Sequence, residues 1–480
     1  MRAFLTEPEF LQFQRDRRSH WDDVAERFGG KRRAAKYYHQ RLEDIFRFLV
    51  RPGLRILEVG CGEGDLIAAL QPKFGVGIDF SSAMIEVAKR KHDSVFFVQA
   101  DAHSLPIDTT FDVIILSDLL NDVWEVQTVL DEVGRLCGPH TRILINSYNR
   151  LWEPLLAIAD SLDLARPNLY QNWLTIEDLG NLLYLSEMEI IRTWPEILWP
   201  LNTPLLASFC NRFLCRFWPF HHLALTHLLI ARPIPRKLDP AEPMISVVVP
   251  TRNEAGNIPE IFKRMPDFSL PLEVIFVEGH SRDDTYEVIE AHIKQEPRWR
   301  GKLFRQQGEG KGDAVREGFL HAEGDILIIL DADLTVPPED LPRFIDALQS
   351  HKAEFANGVR LVYPMHEEAM RFANLIGNKL FSLGFSWVLG QSIKDTLCGT
   401  KAMWRKDYEV IAKHRSYFGE IDPFGDFDLL LGAVKSNLKI VDIPVRYRSR
   451  TYGSTNISRW RHGALLFKML LTAARKIKFV

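Results

Sequence analysis

Residues 55–64 read RILEVGCGEG, and residues 326–333 read ILIILDAD. Each segment begins as a short apolar run typical of a buried β-strand and ends in small or acidic residues that suit a turn. On both sides of each segment, similar apolar runs alternate with helical patterns, as in parallel sheets wrapped by crossover helices. The sequence therefore predicts two domains, each with an α/β fold.

The chain of 480 residues is long enough for more than one hydrophobic core. Residues 233–243 read PIPRKLDPAEP and contain four prolines, which remove backbone donors and resist the interior of helices and sheets. We therefore expect one domain over residues 1–232, with a helical lead-in and a cap, then a linker over 233–243 and a second domain over 244–480.

The composition is that of a globular protein, with 46% hydrophobic and 26% charged residues. The net charge of -3 gives no reason to expect nucleic acid as a partner. The five scattered cysteines fit reduced thiols better than disulfides, which indicates a cytoplasmic location. We expect no secretory signal at the amino terminus and no membrane-spanning segment, because no apolar run is long enough.

The glycine-rich turn after the first strand is the first candidate binding site. Gly60, Gly62 and Gly64 let the backbone approach a ligand closely between a strand and a helix, although a tight turn between packed elements also favours glycine. The next strand, FGVGID, ends at Asp79, where a carboxylate can accept both hydroxyls of a ribose. A later strand ends at Asp101, and acids at successive strand ends line the crevice in which open α/β sheets bind ligands.

These motifs resemble those of class I S-adenosylmethionine-dependent methyltransferases over about residues 40–232. The segments LEVGCGEG, GIDFSSAMIEVAKRK and QADAHSLPIDTTFDVI carry the resemblance. It implies a Rossmann-like fold in which the three glycines border the methionine part of the cofactor and Glu58 supports its amino group. By the same likeness, Asp79 holds the ribose and Asp101 contacts the adenine edge.

A nicotinamide-dependent dehydrogenase also has a glycine-rich turn, but the spacing here is GxGxG rather than GxGxxG. Methyl transfer depends mostly on proximity and in-line orientation, because the sulfonium is already activated. The sequence therefore demands no dedicated base. We expect residues 146–232 to form a cap that faces the methyl acceptor. Asp118, at the end of the strand FDVIILSD, fits either the ligand crevice or a helix cap.

The second half begins with the strand ISVVVP, which stops at Pro250 and opens into the polar turn TRNEAGNI. The next strand, LEVIFVEG, reaches Glu278, and acids and amides at two such strand ends can bind the edge of a nucleobase. The strand DILIIL runs into Asp331 and Asp333. Two carboxylates separated by a single residue can hold a divalent cation between nucleotide phosphates.

The order of these motifs resembles glycosyltransferase family 2 of the GT-A fold over about residues 244–460. The likeness is greatest to its dolichyl-phosphate mannosyltransferase and polyprenyl-phosphate sugar synthase branch. DADLTVPPEDL resembles the metal motif of that branch, which implies metal binding by Asp331 and Asp333, and GKGDAVREGF resembles its phosphate-side helix. The residues that the resemblance implies for substrate binding are Pro250, Thr251, Asn253, Glu254, Glu278, Lys311, Asp331, Arg360, Arg371, Asp395, Lys401 and Arg450.

The acceptor stays open between a lipid phosphate and a hydroxyl group. Arg360, Arg371 and Arg450 form a cationic set that suits two phosphates, because the guanidinium fork binds phosphate bidentately. A hydroxyl acceptor instead requires a general base, which Asp426 or Asp428 in the run DPFGDFDLLLGA supplies. A phosphate acceptor needs little help from a base, because its oxygen is already ionised.

Two segments depart from the pattern of that branch. The usual VDDGSxDxT is VEGHSRDDT here, so Glu278 stands where the branch has aspartate. In the closing loop, the usual GxSK becomes GSTN at residues 453–456. The loss of that lysine weakens the case for a polyprenyl-phosphate acceptor.

The sequence thus predicts a bifunctional enzyme that uses S-adenosylmethionine in one half and Mg²⁺ or Mn²⁺ in the other. A nucleoside-diphosphate sugar is the expected donor, and polyprenyl phosphate is the preferred acceptor. The alternative is transfer to a hydroxyl of a glycan or soluble acceptor, with the methyltransferase domain acting as a non-catalytic scaffold.

The final segment of the chain has a pattern that predicts contact with a membrane surface. Lys468, Arg475, Lys476 and Lys478 punctuate an apolar series at residues 464–480. This pattern resembles an interfacial helix, but it also fits a helix packed on its own domain. We expect a cytoplasmic protein with peripheral contact at the inner face of the membrane.

Overall fold

The computed structural model divides the chain into two compact units. We call them the amino-terminal unit, Met1–Pro235 with Phe479–Val480, and the carboxyl-terminal unit, Arg236–Lys478. Within the predicted linker, Pro233 is still the last residue of a strand, and residues 235–241 lie outside the described part of the chain. The structure describes residues 3–28, 36–161, 169, 171–234, 242–360, 362, 372–419, 425–448, 452 and 459–480.

A seven-stranded sheet lies at the centre of the amino-terminal unit, with the strand order β3-β2-β1-β4-β5-β7-β6. The strands are β1 (Arg55–Val59), β2 (Phe74–Asp79), β3 (Phe96–Gln99), β4 (Phe111–Ser117), β5 (Cys137–Tyr148), β6 (Met188–Glu196) and β7 (Thr226–Pro233). Strands from β3 to β5 are parallel, whereas β7 is antiparallel to both β5 and β6. The chain order reverses between β1 and β4, and such a reversal places a ligand crevice at the carboxyl ends of the strands.

Helices cover both faces of this sheet. They are α1 (Pro8–Phe28), α2 (Lys36–Leu49), α3 (Asp65–Ala69), α4 (Ser82–Lys91), α5 (Val126–Arg135), α6 (Glu153–Ser161), α7 (Ile176–Leu185) and α8 (Leu206–Arg212). Successive residues of a strand point to opposite faces, so Ile56 of β1 packs in one core with α2, and Leu57 packs in another with α5 and α7. Some helix starts follow local rules, since Ser81 accepts a hydrogen bond from Met84 N at the start of α4.

A second seven-stranded sheet forms the carboxyl-terminal unit, with the order β10-β9-β8-β11-β13-β12-β14. The strands are β8 (Ile245–Thr251), β9 (Leu272–Glu278), β10 (Arg300–Arg305), β11 (Ile326–Ile329), β12 (Phe355–Val359), β13 (Lys401–Trp404) and β14 (Ile440–Pro444). The first four in this order are parallel, and β13 is antiparallel to both β11 and β12. The chain order reverses between β8 and β11, which places a crevice at their carboxyl ends.

The helices of this unit pack around that sheet. They are α9 (Ile258–Arg264), α10 (Thr285–Ile293), α11 (Lys311–Leu320), α12 (Leu341–Gln349), α13 (Phe372–Leu389), α14 (Arg405–Lys413), α15 (Asp426–Lys435) and α16 (Arg459–Ala473). One core joins β8, β9 and β11 with α9, α10 and α12. Within the described ranges, no helix combines the length and apolar character that crossing a membrane requires. The predicted fold class, two α/β domains, is confirmed.

The starts of α11 and α15 meet backbone to backbone. A Cβ on Gly312 would lie 2.7 Å from the backbone N of Gly425 and 2.9 Å from its Cα. Real side chains essentially never approach that closely. The contact brings Asp426, the first residue of α15, beside Lys311, the first residue of α11.

We expect Gly425→Ala to lower the free energy of unfolding more than Gly419→Ala does. Both glycines have a left-handed φ, 78° and 81°, which disfavours any L side chain by about 1–2 kcal/mol. Only at Gly425 would the new methyl also strike a neighbour, since nothing lies within 4 Å of that position at Gly419. The two variants should therefore differ by about 1–3 kcal/mol in urea unfolding of the full chain. Equal losses would contradict the close contact with Gly312.

Candidate active sites

The glycine-rich turn connects β1 to α3 and leaves one glycine facing open space. All three glycines have a left-handed φ, 76° at Gly60, 52° at Gly62 and 77° at Gly64. A Cβ on Gly60 would lie 2.9 Å from Leu119 Cδ1, and one on Gly64 would lie 2.6 Å from Phe97 Cε1. Nothing lies within 4 Å of the same position at Gly62, so a ligand can approach the backbone there.

Asp79, at the end of β2, lies against this turn. Its carboxylate oxygens accept hydrogen bonds from the backbone N–H groups of Gly62 and Ser81, each at 2.9 Å. Burial raises the pKa of Asp79 from 3.8 to about 6, against the effect of these two hydrogen bonds. The carboxylate is therefore where the predicted ribose site requires it, and its role there stays a prediction.

Glu58 lies behind the turn and is 2% exposed. Its Oε2 accepts a hydrogen bond from the backbone N–H of Ile67 at 3.1 Å. Burial raises the pKa of Glu58 to about 8, and the charge of Asp79 adds to that rise. The side chain is therefore largely protonated at pH 7, and a cation placed beside it would favour its ionised form. An ammonium group of a bound cofactor is such a cation.

Asp101 follows β3 and is held by two neighbours. Its Oδ1 accepts a hydrogen bond from the backbone N–H of His103 at 2.8 Å and lies 2.6 Å from Nδ1 of the same residue. Gln14 of α1 donates to its other oxygen. Burial raises the pKa of Asp101, but these hydrogen bonds outweigh it and lower the pKa below its usual value. The residue predicted to contact adenine is thus already contacted by α1.

Helix α1 lies over the carboxyl ends of the strands, which the sequence did not predict. Arg17 forms an ion pair with Asp122, and Trp21 Nε1 donates to Asp122 Oδ2 at 2.7 Å. Asp22 accepts a hydrogen bond from Ser81 Oγ at the start of α4. These side chains make α1 one wall of the predicted cofactor cleft. No local signal in the sequence distinguishes them from residues of a solvated helix.

A polar cluster lies at the ends of β4 and β5. Tyr38 of α2 donates from its hydroxyl to Asp118, whose two oxygens lie at 2.8 and 3.1 Å, and Asn146 Nδ2 donates to Asp118 as well. Asp118 has a left-handed φ of 54°, a strained conformation that concentrates at functional sites. Burial and the charge of Asp118 raise the pKa of Tyr38 well above its usual value. Tyr38 therefore remains a donor, and no sequence motif indicated its contact with Asp118.

In the carboxyl-terminal unit, the predicted nucleobase residues lie at the paired ends of β8 and β9. Thr251 pairs with Glu278 in the sheet register, one position after Pro250. Asn253 has a φ of 55°, and its Oδ1 accepts a hydrogen bond from the backbone N–H of Arg282 at 2.7 Å. Glu278 is buried, and its Oε1 accepts a hydrogen bond from the backbone N–H of Ser281. Glu254 Oε2 accepts a hydrogen bond from Asn257 Nδ2.

Lys311 is the centre of the charged site. Its Nζ lies 2.6 Å from Asp331 Oδ1 and 3.9 Å from Asp426 Oδ2, and the fully buried Lys401 Nζ lies 3.4 Å from Asp426 Oδ1. Burial lowers the pKa of Lys311, but the two carboxylates outweigh it and raise the pKa above its usual value. A Cβ on Gly399 would overlap both Lys311 Nζ and the Asp331 carboxylate. A side chain at that position would displace at least one member of the pair.

Asp333 lies beyond the end of β11, after Asp331. Its Oδ1 accepts hydrogen bonds from the backbone N–H and the hydroxyl of Thr335, at 3.1 and 2.8 Å. Among the residues that the structure describes, no group of three or more His, Cys, Asp or Glu side chains is arranged to hold a metal ion. Two carboxylates still fit a Mg²⁺-type site, because this ion takes its remaining oxygen ligands from substrate phosphates and water.

Arg360 and Asp395, which the sequence predicted as separate substrate residues, form a buried ion pair. Arg360 Nε and Nη2 donate to the two oxygens of Asp395 at 2.7 and 2.9 Å, the bidentate geometry that guanidinium favours. Asn378 Nδ2 donates to the same carboxylate at 3.0 Å. The role of Arg360 in phosphate binding stays a prediction, and Arg371 and Arg450 lie outside the described residues.

The two candidate bases have different surroundings. Asp426 lies near both Lys311 and Lys401, and Lys311 also contacts Asp331. Asp428, two residues later on α15, accepts a hydrogen bond from Arg415 Nε at 2.8 Å. The structure therefore places Asp426, and not Asp428, in the charged cluster with Lys311 and Asp331.

Two family models match the chain. Residues 51–182 match the family described as "Methyltransferase domain", and residues 246–411 match "Glycosyl transferase family 2". The dolichyl-phosphate β-glucosyltransferase of Saccharomyces cerevisiae is 30% identical over 232 residues, which cover 44% of this chain and 68% of that protein. The chain belongs to glycosyltransferase family 2 and also carries a methyltransferase domain, so both units are of enzyme families.

Other relatives match one unit each. The dolichol-phosphate mannosyltransferase of Pyrococcus furiosus is 29% identical over 241 residues, and the match covers 49% of this chain but only 64% of that protein. The solved magnesium protoporphyrin IX methyltransferase of Synechocystis is 16% identical with a TM-score of 0.34, over 46% of this chain and 99% of that one. The two family matches confirm the resemblances that the sequence motifs indicated.

We expect the amino-terminal unit to lose stability as the pH rises from about 6, above the titration of Asp79, to about 8, and Glu58→Gln to reduce that loss. The folded state holds the proton of Glu58 more tightly than the unfolded chain does, so unfolding releases a proton between pH 4.5 and about 8. Stability therefore falls by about 1.4 kcal/mol per pH unit across that window. Melting temperatures at about pH 6 and about pH 8 measure the effect, with exposed Glu86→Gln as the control. An unchanged pH dependence in Glu58→Gln would contradict the buried protonated carboxyl.

Proposed function

We propose that the carboxyl-terminal unit transfers a sugar from a nucleoside diphosphate to polyprenyl phosphate, while the amino-terminal unit transfers a methyl group from S-adenosylmethionine. The observation that carries the first part is the convergence of Lys311, Asp331 and Asp426 at the carboxyl edge of a nucleotide-type sheet. The names of the yeast and Pyrococcus relatives, a dolichyl-phosphate glucosyltransferase and a dolichol-phosphate mannosyltransferase, support a lipid phosphate as the acceptor.

The donor fits the crevice between β8 and β11. Its nucleobase lies against the turns after β8 and β9, where Asn253 and Glu278 present polar atoms. Its diphosphate lies near Lys311, at the start of α11, where the lysine and the helix dipole both favour negative charge. Asp331 and Asp333 would hold a divalent cation, which would supply further positive charge beside the diphosphate.

Sugar transfer then needs no proton acceptor if the acceptor is a phosphate. An ionised phosphate oxygen forms a bond to the anomeric carbon, the bond from that carbon to the donor phosphate oxygen breaks, and the nucleoside diphosphate leaves. Both candidate bases are already paired with cations, Asp426 with two lysines and Asp428 with Arg415. These pairings favour the acceptor that requires no base over a glycan hydroxyl.

Peripheral membrane contact follows from the packing of α13 and α16. The side chains of Leu380, Leu383 and Trp387 on α13 and of Phe467 and Leu471 on α16 are exposed although they are large and apolar. Of the predicted basic residues of the final segment, Lys468 lies on α16 and the others lie on the π-helix Ala474–Lys478 that follows it. Lys478 Nζ lies 5.1 Å from the centre of the Trp387 ring. Apolar side chains flanked by cations suit the surface of an anionic bilayer.

The predicted cofactor cleft suits S-adenosylmethionine because its backbone is open to a ligand and its carboxyl groups would attract a positive charge. Gly62 leaves backbone open to a ligand, Asp79 offers acceptor oxygens beside it, and Glu58 lies behind the turn to receive a cation. When bound, the cofactor supplies a methyl group that its sulfonium has already activated. The alternative is that this unit only positions the glycosyltransferase and binds no cofactor.

We expect Asp79→Asn to weaken S-adenosylmethionine binding by about tenfold or more, because the negative charge and one of the two acceptor oxygens are lost. Titration calorimetry measures the affinity, and the fully exposed Asp108→Asn is the control. Sugar transfer should stay unchanged in both variants. If the unaltered protein shows no heat of binding, the scaffold alternative is correct.

We expect Asp333→Asn to reduce sugar transfer by about a hundredfold or more, because charge on the leaving diphosphate is no longer neutralised. Binding of nucleotide sugars should gain affinity from Mn²⁺ in the unaltered protein and not in the variant. Asp346→Asn on the exposed side of α12 is the control. Undiminished activity of the chelator-treated variant would exclude the metal-assisted mechanism.

The acceptor is tested by Asp426→Asn and Asp428→Asn, measured with polyprenyl phosphate and with glycan acceptors. If phosphate is the nucleophile, Asp428→Asn keeps appreciable turnover, and Arg371→Ala raises the apparent binding constant of the acceptor more than that of the donor. If the acceptor is a hydroxyl, one of the two aspartate variants loses about a hundredfold in rate, and Arg371→Ala does not weaken acceptor binding more than donor binding. Radiolabelled sugar that stays wholly in the aqueous phase, with polyprenyl phosphate supplied, would contradict the proposal.

A further inference from the structure

The segment between β6 and β7 of the amino-terminal unit exposes a cluster of large apolar side chains. Two of them are almost fully exposed, Leu205 at 88% and Trp218 at 78%. We call the cluster the apolar surface, and it consists of Leu201, Leu205, Leu206, Phe209, Trp218, Phe220 and Leu223. Single exposed apolar residues are ordinary on soluble proteins, but so many within residues 201–223 mark a candidate interaction site.

Helix α8 shows that this exposure is built into the fold. Leu205 lies immediately before the first residue of the helix, with a left-handed φ of 63°, and Phe209 within the helix is 57% exposed. The opposite side is buried and carries smaller residues, Ala207, Cys210 and Asn211. The side chain of Asn211 is tied into the unit, since its Oδ1 accepts a hydrogen bond from Trp199 N at 2.8 Å. The helix thus packs through its small and polar side and turns its large apolar side outward.

The charge of the segment identifies the kind of partner. Residues 197–225 contain no aspartate or glutamate, and Arg212 and His222 are exposed within them. A protein-binding surface has a mixed polar rim, whereas an anionic lipid surface repels carboxylates and attracts arginine. Trp218 is of the residue type that settles at the boundary between headgroups and acyl chains.

We propose that the apolar surface inserts into the headgroup region of an anionic lipid bilayer. The inference goes beyond the proposed sugar and methyl transfer, because it gives the amino-terminal unit a membrane contact of its own. That contact is separate in sequence from the exposed residues of α13 and α16. Leu205, Phe209 and Trp218 provide the inserted side chains, and Arg212 meets the headgroup phosphates.

The test is sedimentation of the full chain with vesicles of phosphatidylcholine containing about a quarter phosphatidylglycerol. Because α13 contributes to binding in the proposed function, all proteins carry Leu380→Ser and Leu383→Ser. In that background, the combined change Leu205→Ser, Phe209→Ser and Trp218→Ser should lower the partition coefficient by about tenfold or more. The matched control, Tyr184→Ser with Leu185→Ser, removes two side chains of the same unit that are 71% and 60% exposed, and should not lower it.

Two results would overturn the inference. One is unchanged vesicle binding after the triple substitution. The other is a dimer in sedimentation velocity that the triple substitution dissociates, because the surface would then be covered by a second copy of the chain. Nucleotide-sugar binding is measured in the same proteins, since it depends on Asp331 and Asp333 and not on this surface. If none of these proteins binds nucleotide sugars, that result contradicts the proposed function and leaves the membrane inference unaffected.

Discussion

The charged site of the carboxyl-terminal unit depends on one partly buried cation, Lys311. Asp331 and Asp426 belong to elements almost a hundred residues apart in the chain, and their like charges would repel each other at the edge of the sheet. Lys311 Nζ lies between them, and glycine at positions 312, 399 and 425 provides the space that this arrangement needs. The same lysine stands at the start of a helix, so the group that separates the two carboxylates would also present positive charge to a diphosphate.

The sequence predicted those parts of both sites that local patterns determine. A buried strand followed by glycine or an acid defines the carboxyl edge of a parallel sheet, and this placed Asp79, Asp101, Asp331 and Asp333 at the ends of their strands. The glycine turn was found in the same way, and the family matches confirmed the two resemblances. Which ligand atoms each side chain meets stays a prediction.

The remaining parts depend on contacts between distant segments, which leave no periodic signal. Gln14 meets Asp101 across 87 positions, and Tyr38 meets Asp118 across 80. The ambiguity between Asp426 and Asp428 was of the same kind, because two acids on one helical turn look alike until their partners are known. Arg360 and Asp395 were each identified, but their mutual pairing followed only from the meeting of β12 with the loop before β13.

In the proposed function, each unit binds its ligand at the carboxyl ends of the strands of its own sheet, and the two ligands carry opposite charge. In the described part of the chain, no lysine or arginine pairs with Glu58 or Asp79, and burial raises the pKa of both carboxyl groups. A ligand that carries positive charge near the glycine turn would let these groups ionise and would gain their attraction. In the carboxyl-terminal unit, Lys311 and Lys401 already neutralise the carboxylates. An anionic diphosphate would bind there together with the divalent cation proposed for Asp331 and Asp333, whereas the carboxyl groups of the first site would attract the sulfonium and ammonium groups of the proposed cofactor.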